Sequence, residues 1–167
     1  VVSLAGGGSD TVSINNASAP NPVHTNFVTI TNFSASDDEI RFEENAVDIV
    51  ISGFQTVTAN NSSISLSAGG VLEIASSLYS AVDLTLDGAG QAIETAIVAA
   101  TGADADDGGL ADGADLYVIV YGPSNTAGLY QATFADADAN SAANLTIELV
   151  GQISGVAPDA LSAGNFI

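Results

Sequence analysis

The chain has no cysteine, methionine, tryptophan or lysine, and its only basic side chains are Arg41 and His24. Each absence removes a class of function. Without cysteine there is no disulfide framework, no thiolate metal site and no cysteine nucleophile. That absence fits a reducing cytosol as well as a bacterial extracellular protein that does without disulfides. A single histidine cannot supply the imidazole pair of a zinc site. One arginine against 20 Asp and Glu gives a formal net charge of -19. Nucleic acid is therefore excluded as a partner, because phosphates need Lys and Arg to neutralise them. Anionic membrane surfaces are disfavoured for the same reason. No apolar run reaches the roughly 20 residues a spanning helix requires, and no basic-then-apolar leader stands at the start. With no initiator methionine, the chain is read as processed or as part of something longer.

What is present is apolar and β-prone. Hydrophobic residues make up 47% of the 167 residues, enough for a folded core despite the charge. Ser, Thr, Asn, Asp and Gly alternate with Val and Ile, which predicts strands. DTVSI (Asp10–Ile14), FVTITNF (Phe27–Phe33) and DDEIRFEE alternate as half-buried strands do. AVDIVISGF reads as a more buried strand. SSISLSAGGVLEI predicts a hairpin turning at Gly69–Gly70. ADLYVIVYG (Ala114–Gly122) reads as the central strand, with GLYQATFAD and ANLTIELVGQI as its antiparallel neighbours. Apolar residues switch to helical spacing at Ala92, Ile93, Ala96, Ile97 and Ala100, which predicts one helix over about 88–101 with Asp87 as N-cap and Gly102 as stop. The expectation is one β-rich domain over 1–167: mainly β, a β-sandwich or β-roll-like module with one α-helix.

Four stretches then resemble a known family. ITNFSASDDEIRF (Ile30–Phe42) is similar to the I-x-D-F-x-x-x-x-D-x-I-x-L/F segment that follows glycine-rich RTX repeats in bacterial proteins exported by type I secretion. ADLYVIVYGPSNTAGLYQATF resembles a strand pair of the same C-terminal module, and IELVGQISGVAPDALSAGNFI resembles its closing tail. LAGGGSDTVSI (Leu4–Ile14) resembles the last, degenerate turn of a G-G-x-G-x-D-x-h array, so 1–14 is expected to be the end of a glycine/aspartate repeat region. Only one such turn is present, and Gly-Gly-Gly-Ser-Asp is one spacer short of the full repeat. The resemblance implies a secreted or cell-surface bacterial protein, bound calcium, and export through type I secretion machinery directed from the C-terminus. Surface-layer proteins, adhesins, proteases and lipases share the module, so it implies no single activity.

Calcium takes six to eight oxygen ligands, and three acidic stretches supply them. Asp136, Asp138 and Asn140 form an alternating D-x-D-x-N start. Asp104, Asp106 and Asp112 lie among glycines that allow tight wrapping. Asp37 and Asp38 form a third cluster, with Asp10 as an edge ligand. Aspartate also favours turns, so each stretch reads equally as a solvated acidic loop. Taken together, so many carboxylates without cations repel one another, and a divalent ion relieves that repulsion. No G-x-S-x-G elbow accompanies His24, aromatic residues for a sugar cleft are scarce, and no lysine follows Gly6–Gly8 to make a phosphate loop. The sequence predicts no catalytic site. It points to a calcium-binding extracellular structural or assembly module, homo-oligomeric or polymeric through β-edges. The alternative is the C-terminal secretion and folding module of an RTX protease or lipase.

Overall fold

The computed structural model describes residues 1–4, 7–15, 27–44, 47–60, 62, 68–85, 92–101, 115–134 and 145–167. Ten strands occupy Val2–Ser3 (β1), Thr11–Asn15 (β2), Val28–Thr31 (β3), Glu39–Glu44 (β4), Val47–Asp48 (β5), Phe54–Val57 (β6), Val71–Ile74 (β7), Asp115–Gly122 (β8), Thr126–Phe134 (β9) and Leu145–Ser154 (β10). One α-helix, α1, spans Ala92–Thr101, and a 3-10 turn covers Ala163–Asn165. The expected class holds: a mainly β fold with one α-helix among the described residues.

The strands form two sheets. The larger has seven strands in the order β1-β3-β10-β9-β8-β7-β6, and the smaller has three in the order β2-β4-β5. The chain begins by winding between them. β1 and β3 pair in parallel in the large sheet, Val2 against Ile30. β2 and β4 pair in parallel in the small one, Thr11 against Glu39. Both ladders are offset by 28 residues, so one winding lies on the other as consecutive coils of a β-roll. The β1–β2 turn needs left-handed backbone at Gly7 and Gly8, with φ of 70° and 122°, conformations that glycine adopts without steric cost.

Both faces of the large sheet are covered. On one side α1 lays Ile93, Ile97 and Ala100 against Leu72, Ile74, Leu116, Val118 and Val120. On the other, Val12, Ile14, Ile40 and Phe42 of the small sheet meet Ile30, Tyr117, Ile119, Tyr121 and Leu129. β8 is therefore buried on both faces and reads as a continuous apolar run. β10 serves both layers by changing phase. A bulge between Leu149 and Gly151 leaves Leu145, Ile147 and Leu149 on the helix side. It turns Ile153 toward the small sheet, as a one-residue slip must. Gly151 leaves room for the small sheet: a Cβ there would meet Ile14 Cδ1 at 2.8 Å.

Several sequence expectations are corrected. Val71–Ile74 is not an arm of a hairpin with Ile64 and Leu66, because both its ladders are occupied by parallel partners, β6 and β8. β8 has one antiparallel neighbour, β9, and one parallel neighbour, β7; β10 pairs with β9 and β3 instead. AVDIVISGF is not one buried strand: it holds the two residues of β5 and, at its end, Phe54, the first residue of β6, and Val50 between them is 85% exposed. The helix is described from Ala92, so its expected earlier start at residue 88, with Asp87 and Gly102, lies outside the described residues.

Candidate functional site: a coil corner closed by the C-terminal tail

The turn leading into β4 folds around Ser34, whose carbonyl accepts the N–H groups of Asp37 (3.1 Å) and Asp38 (2.8 Å). The Asp38 side chain, 3% exposed, turns back over this turn. Its Oδ2 accepts the Ser34 N–H at 2.8 Å. Its Oδ1 accepts the N–H of Asp10, one coil away, at 3.1 Å. The Glu39 N–H completes the crossing by donating to the Asp10 carbonyl at 2.8 Å. Asp38 thus satisfies two backbone donors that a turn beside a strand end leaves without partners, and it ties the coils together. Asp37 lies outside this bridge. Its Oδ2 accepts the hydroxyls of Ser34 and Ser36, each at 2.8 Å, and those bonds hold its carboxyl below the ordinary aspartate range.

The C-terminal tail docks on the same corner. Asn165, 3% exposed, donates from Nδ2 to the carbonyls of Ala35 (2.9 Å) and Asp38 (3.0 Å). Its Oδ1 accepts the Ser162 N–H at 2.9 Å. The Ile167 N–H donates to the Ile40 carbonyl at 3.0 Å. Phe166 stacks parallel to Phe42 with centroids 6.1 Å apart, and Phe42 stacks on Tyr117 at 3.7 Å. Phe54 lies on the other flank of Phe166 at 5.9 Å. The glycine–aspartate strand, the Ile30–Phe42 segment and the Asn165–Ile167 tail, far apart in sequence, form one assembly.

A second buried carboxylate supports this layer from the large sheet. Glu73 in β7 is 3% exposed. It accepts the Tyr121 hydroxyl on Oε1 and the Thr56 hydroxyl on Oε2, both at 2.7 Å. The Tyr121 oxygen also receives the Leu161 N–H at 3.4 Å, which connects β6, β7, β8 and the tail. Burial, with the Glu73 carboxylate alongside, raises the Tyr121 phenol above its ordinary range. Asp159 anchors the next loop by accepting both the N–H and the hydroxyl of Ser76 at 2.7 Å. At the base of β8, Asp115 accepts from Gln131 Nε2 at 2.6 Å and from the Thr133 hydroxyl.

Of the residues singled out as calcium ligands, Asp104, Asp106, Asp112, Asp136, Asp138 and Asn140 lie outside the described residues. Asp10, Asp37 and Asp38 come together at the coil corner, where Asp10 is exposed. Among the described residues, no group of three or more His, Cys, Asp or Glu side chains is placed to hold a metal ion. The described carboxylates with defined partners accept hydrogen bonds from backbone, hydroxyl or side-chain amide donors and so fasten segments together. Sequence reasoning missed Glu73, Tyr121 and the role of Asn165. It also missed the repeat that pairs Ser9–Ile14 with Asp37–Phe42, a signal that comparing the chain with itself at a 28-residue shift would have revealed. A groove of about 370 Å³ opens on the opposite layer, between Leu78–Tyr79 and the Ala92, Ala96 and Ala99 face of α1. No helix among the described residues is long and apolar enough to cross a membrane. No family model, curated protein or solved structure matches the chain.

Proposed function

We propose that this chain is a calcium-binding extracellular structural module, of the kind found in bacterial surface-layer, adhesin or matrix-filament proteins, and that it self-associates through its β-edges. The observation that carries this reading is the stacked pair of 28-residue coils, bridged by Asp38 and closed by Asn165–Ile167. Three of the segments that resemble an RTX-type C-terminal module, the glycine–aspartate strand, Ile30–Phe42 and the closing tail, make contact there, and the work of their side chains is to join strands. A net charge of -19 opposes association between copies unless cations neutralise it, so assembly depends on calcium. The unassigned carboxylates of Asp104, Asp106, Asp112, Asp136, Asp138 and Asn140's amide oxygen are the ligand groups this reading uses. Negative-stain microscopy with millimolar calcium should show sheets or filaments that disperse in excess EGTA. Particles that stay single in calcium, or stay assembled in EGTA, would contradict it.

The tail favours a second reading, the C-terminal secretion and folding module of an exported RTX enzyme. Asn165 and Phe166 are buried, and the exposed Ile167 is tied to β4 through its N–H on the Ile40 carbonyl, so the tail acts as the closing piece of the fold. Under this reading, fusion to an unrelated passenger should direct export through type I secretion machinery, and deletion of Leu161–Ile167 should abolish both export and refolding.

A further inference from the structure

A cleft of about 420 Å³ opens at the β8–β9 hairpin end of the large sheet. It is lined by Gln152 of β10, by Pro123 and Ser124 of the hairpin, and by Val82 and Asp83 of a loop that crosses the sheet. Both walls are fixed. Leu84 pins the loop: it is 2% exposed, sits over Gly122 where a Cβ would meet it at 2.8 Å, and accepts the Tyr130 hydroxyl on its carbonyl at 2.5 Å. The hairpin is held at the Asn125 carbonyl, which accepts the Gly155 and Val156 N–H groups at 2.9 and 3.1 Å. A ligand entering here would pay little to order its site.

The polar groups of the cleft are unspent. Asp83 Oδ1 accepts both the N–H (2.9 Å) and the hydroxyl (2.7 Å) of Thr85. Those bonds hold the carboxyl below the ordinary aspartate range, so it is an ionised group that only accepts. Its Oδ2, the Ser124 hydroxyl and the Gln152 amide have no hydrogen-bond partner among the described residues. Gln152 is half-buried. Ile153 beside it faces the small sheet, so Gln152 faces the other way, next to Gly128, which has no side chain to meet it. Ser124 has left-handed backbone, φ 57°, a conformation that glycine adopts without steric cost; the serine adds a hydroxyl to the cleft. Around these groups, Val82, 89% exposed, and Pro123 supply apolar carbon. A volume of this size falls in the range of small-molecule sites, about 300–1,000 Å³, where apolar walls are combined with a few polar groups that fix orientation.

We infer that this cleft binds a neutral sugar residue, with Asp83 and Gln152 on neighbouring hydroxyls, Ser124 on a third, and the ring's C–H face against Val82 and Pro123. An acceptor-only carboxylate beside an amide and a hydroxyl, which each donate and accept, matches adjacent sugar hydroxyls. Asp83 and a net charge of -19 disfavour an anion. Calcium needs six to eight oxygens, and glycoside hydrolysis needs two carboxylates; Asp83 is the one carboxylate among the described lining residues. The site therefore binds a sugar and leaves it intact. Methyl glycosides of glucose, galactose and mannose are the probes, titrated into isotope-labelled chain and followed by NMR. At millimolar concentration at least one should shift the amide signals of Asp83, Ser124 and Gln152 saturably, with or without calcium. Asp83→Asn should weaken binding about tenfold, and Ser124→Gly, which suits the turn and removes only the hydroxyl, about threefold. A methyl glucuronide, with its added carboxylate, should not bind. If Asp83→Asn fails to fold, Ser124→Gly carries the test. No saturable shift with any of the three glycosides, or shifts that neither variant weakens, would overturn the assignment. Shifts of the same signals by calcium alone, lost in Asp83→Asn, would overturn it in favour of a cation site.

Discussion

Strands β1 and β2 stack on β3 and β4 one coil apart, at a 28-residue offset, yet they meet different surroundings. Ile30 is fully buried between β1 and β10, and its counterpart Val2 is 38% exposed at the sheet edge. Asp38 is buried, with both carboxylate oxygens engaged by backbone N–H groups; Asp10, at the equivalent place, is exposed. Val12 and Ile14 are as buried as Ile40 and Phe42, because the large sheet covers both coils from below. The difference between the coils therefore arises at their edges, not at their inward faces. One sequence pattern makes a core element when flanked on both sides and an exposed strand when flanked on one.

The contrast is largest at Ile30. Ile30→Ala should cost about 2–5 kcal/mol through the cavity it leaves. Val2→Ala, at the matching position of the first coil, should stay within about 0.5 kcal/mol. Urea unfolding of the two variants measures both, and equal losses would break the comparison. Asp38→Ala should follow at about 1.5–3 kcal/mol, since its carboxylate takes two backbone donors. Asp10→Ala should again be near neutral. Tyr121→Phe removes one donor from the buried Glu73 carboxylate and should cost about 1–3 kcal/mol. Its pH dependence sharpens the test. The folded phenol titrates above the ordinary value of 10.0, so the unfolded chain loses its proton first. Stability is then full below about pH 10 and falls as pH rises beyond it. Tyr121→Phe should flatten part of that alkaline decline, while Tyr130 and Tyr79, also raised by burial, continue to contribute to it. The smallest effect belongs to Asp37, a surface group whose hydroxyl partners lower its titration below 3.8. Its contribution is present above that pH and fades as pH falls through the folded value. Asp37→Asn should remove this acid sensitivity, measured by thermal unfolding between pH 5 and pH 2.

Much of the strand pattern was legible because alternation survives in DTVSI, FVTITNF and EIRFEE, which became β2, β3 and β4. Pairing was not, because a period of two is the same for parallel and antiparallel partners. That is why Val71–Ile74 read as a hairpin arm and became a strand between two parallel neighbours. The phase change in β10 was hidden for a related reason: Leu149-Val150-Gly151 looks like continuous strand, and the bulge exists only against Tyr130 and Leu129 opposite. At the candidate site, Asp10, Asp37 and Asp38 were noticed for their carboxylates. Sequence alone does not separate an aspartate that accepts backbone N–H groups from one that meets a cation. Glu73 drew no notice, because a single acid in an apolar strand finds its reason in hydroxyls 17 and 48 residues away.

Calcium-dependent self-association is the point on which the functional account stands, and sedimentation velocity of the 167-residue chain addresses it most directly. The expected result is a shift to large, heterogeneous species in millimolar calcium and a return to monomer in excess EGTA. A sedimentation coefficient that is the same in both solutions would contradict it.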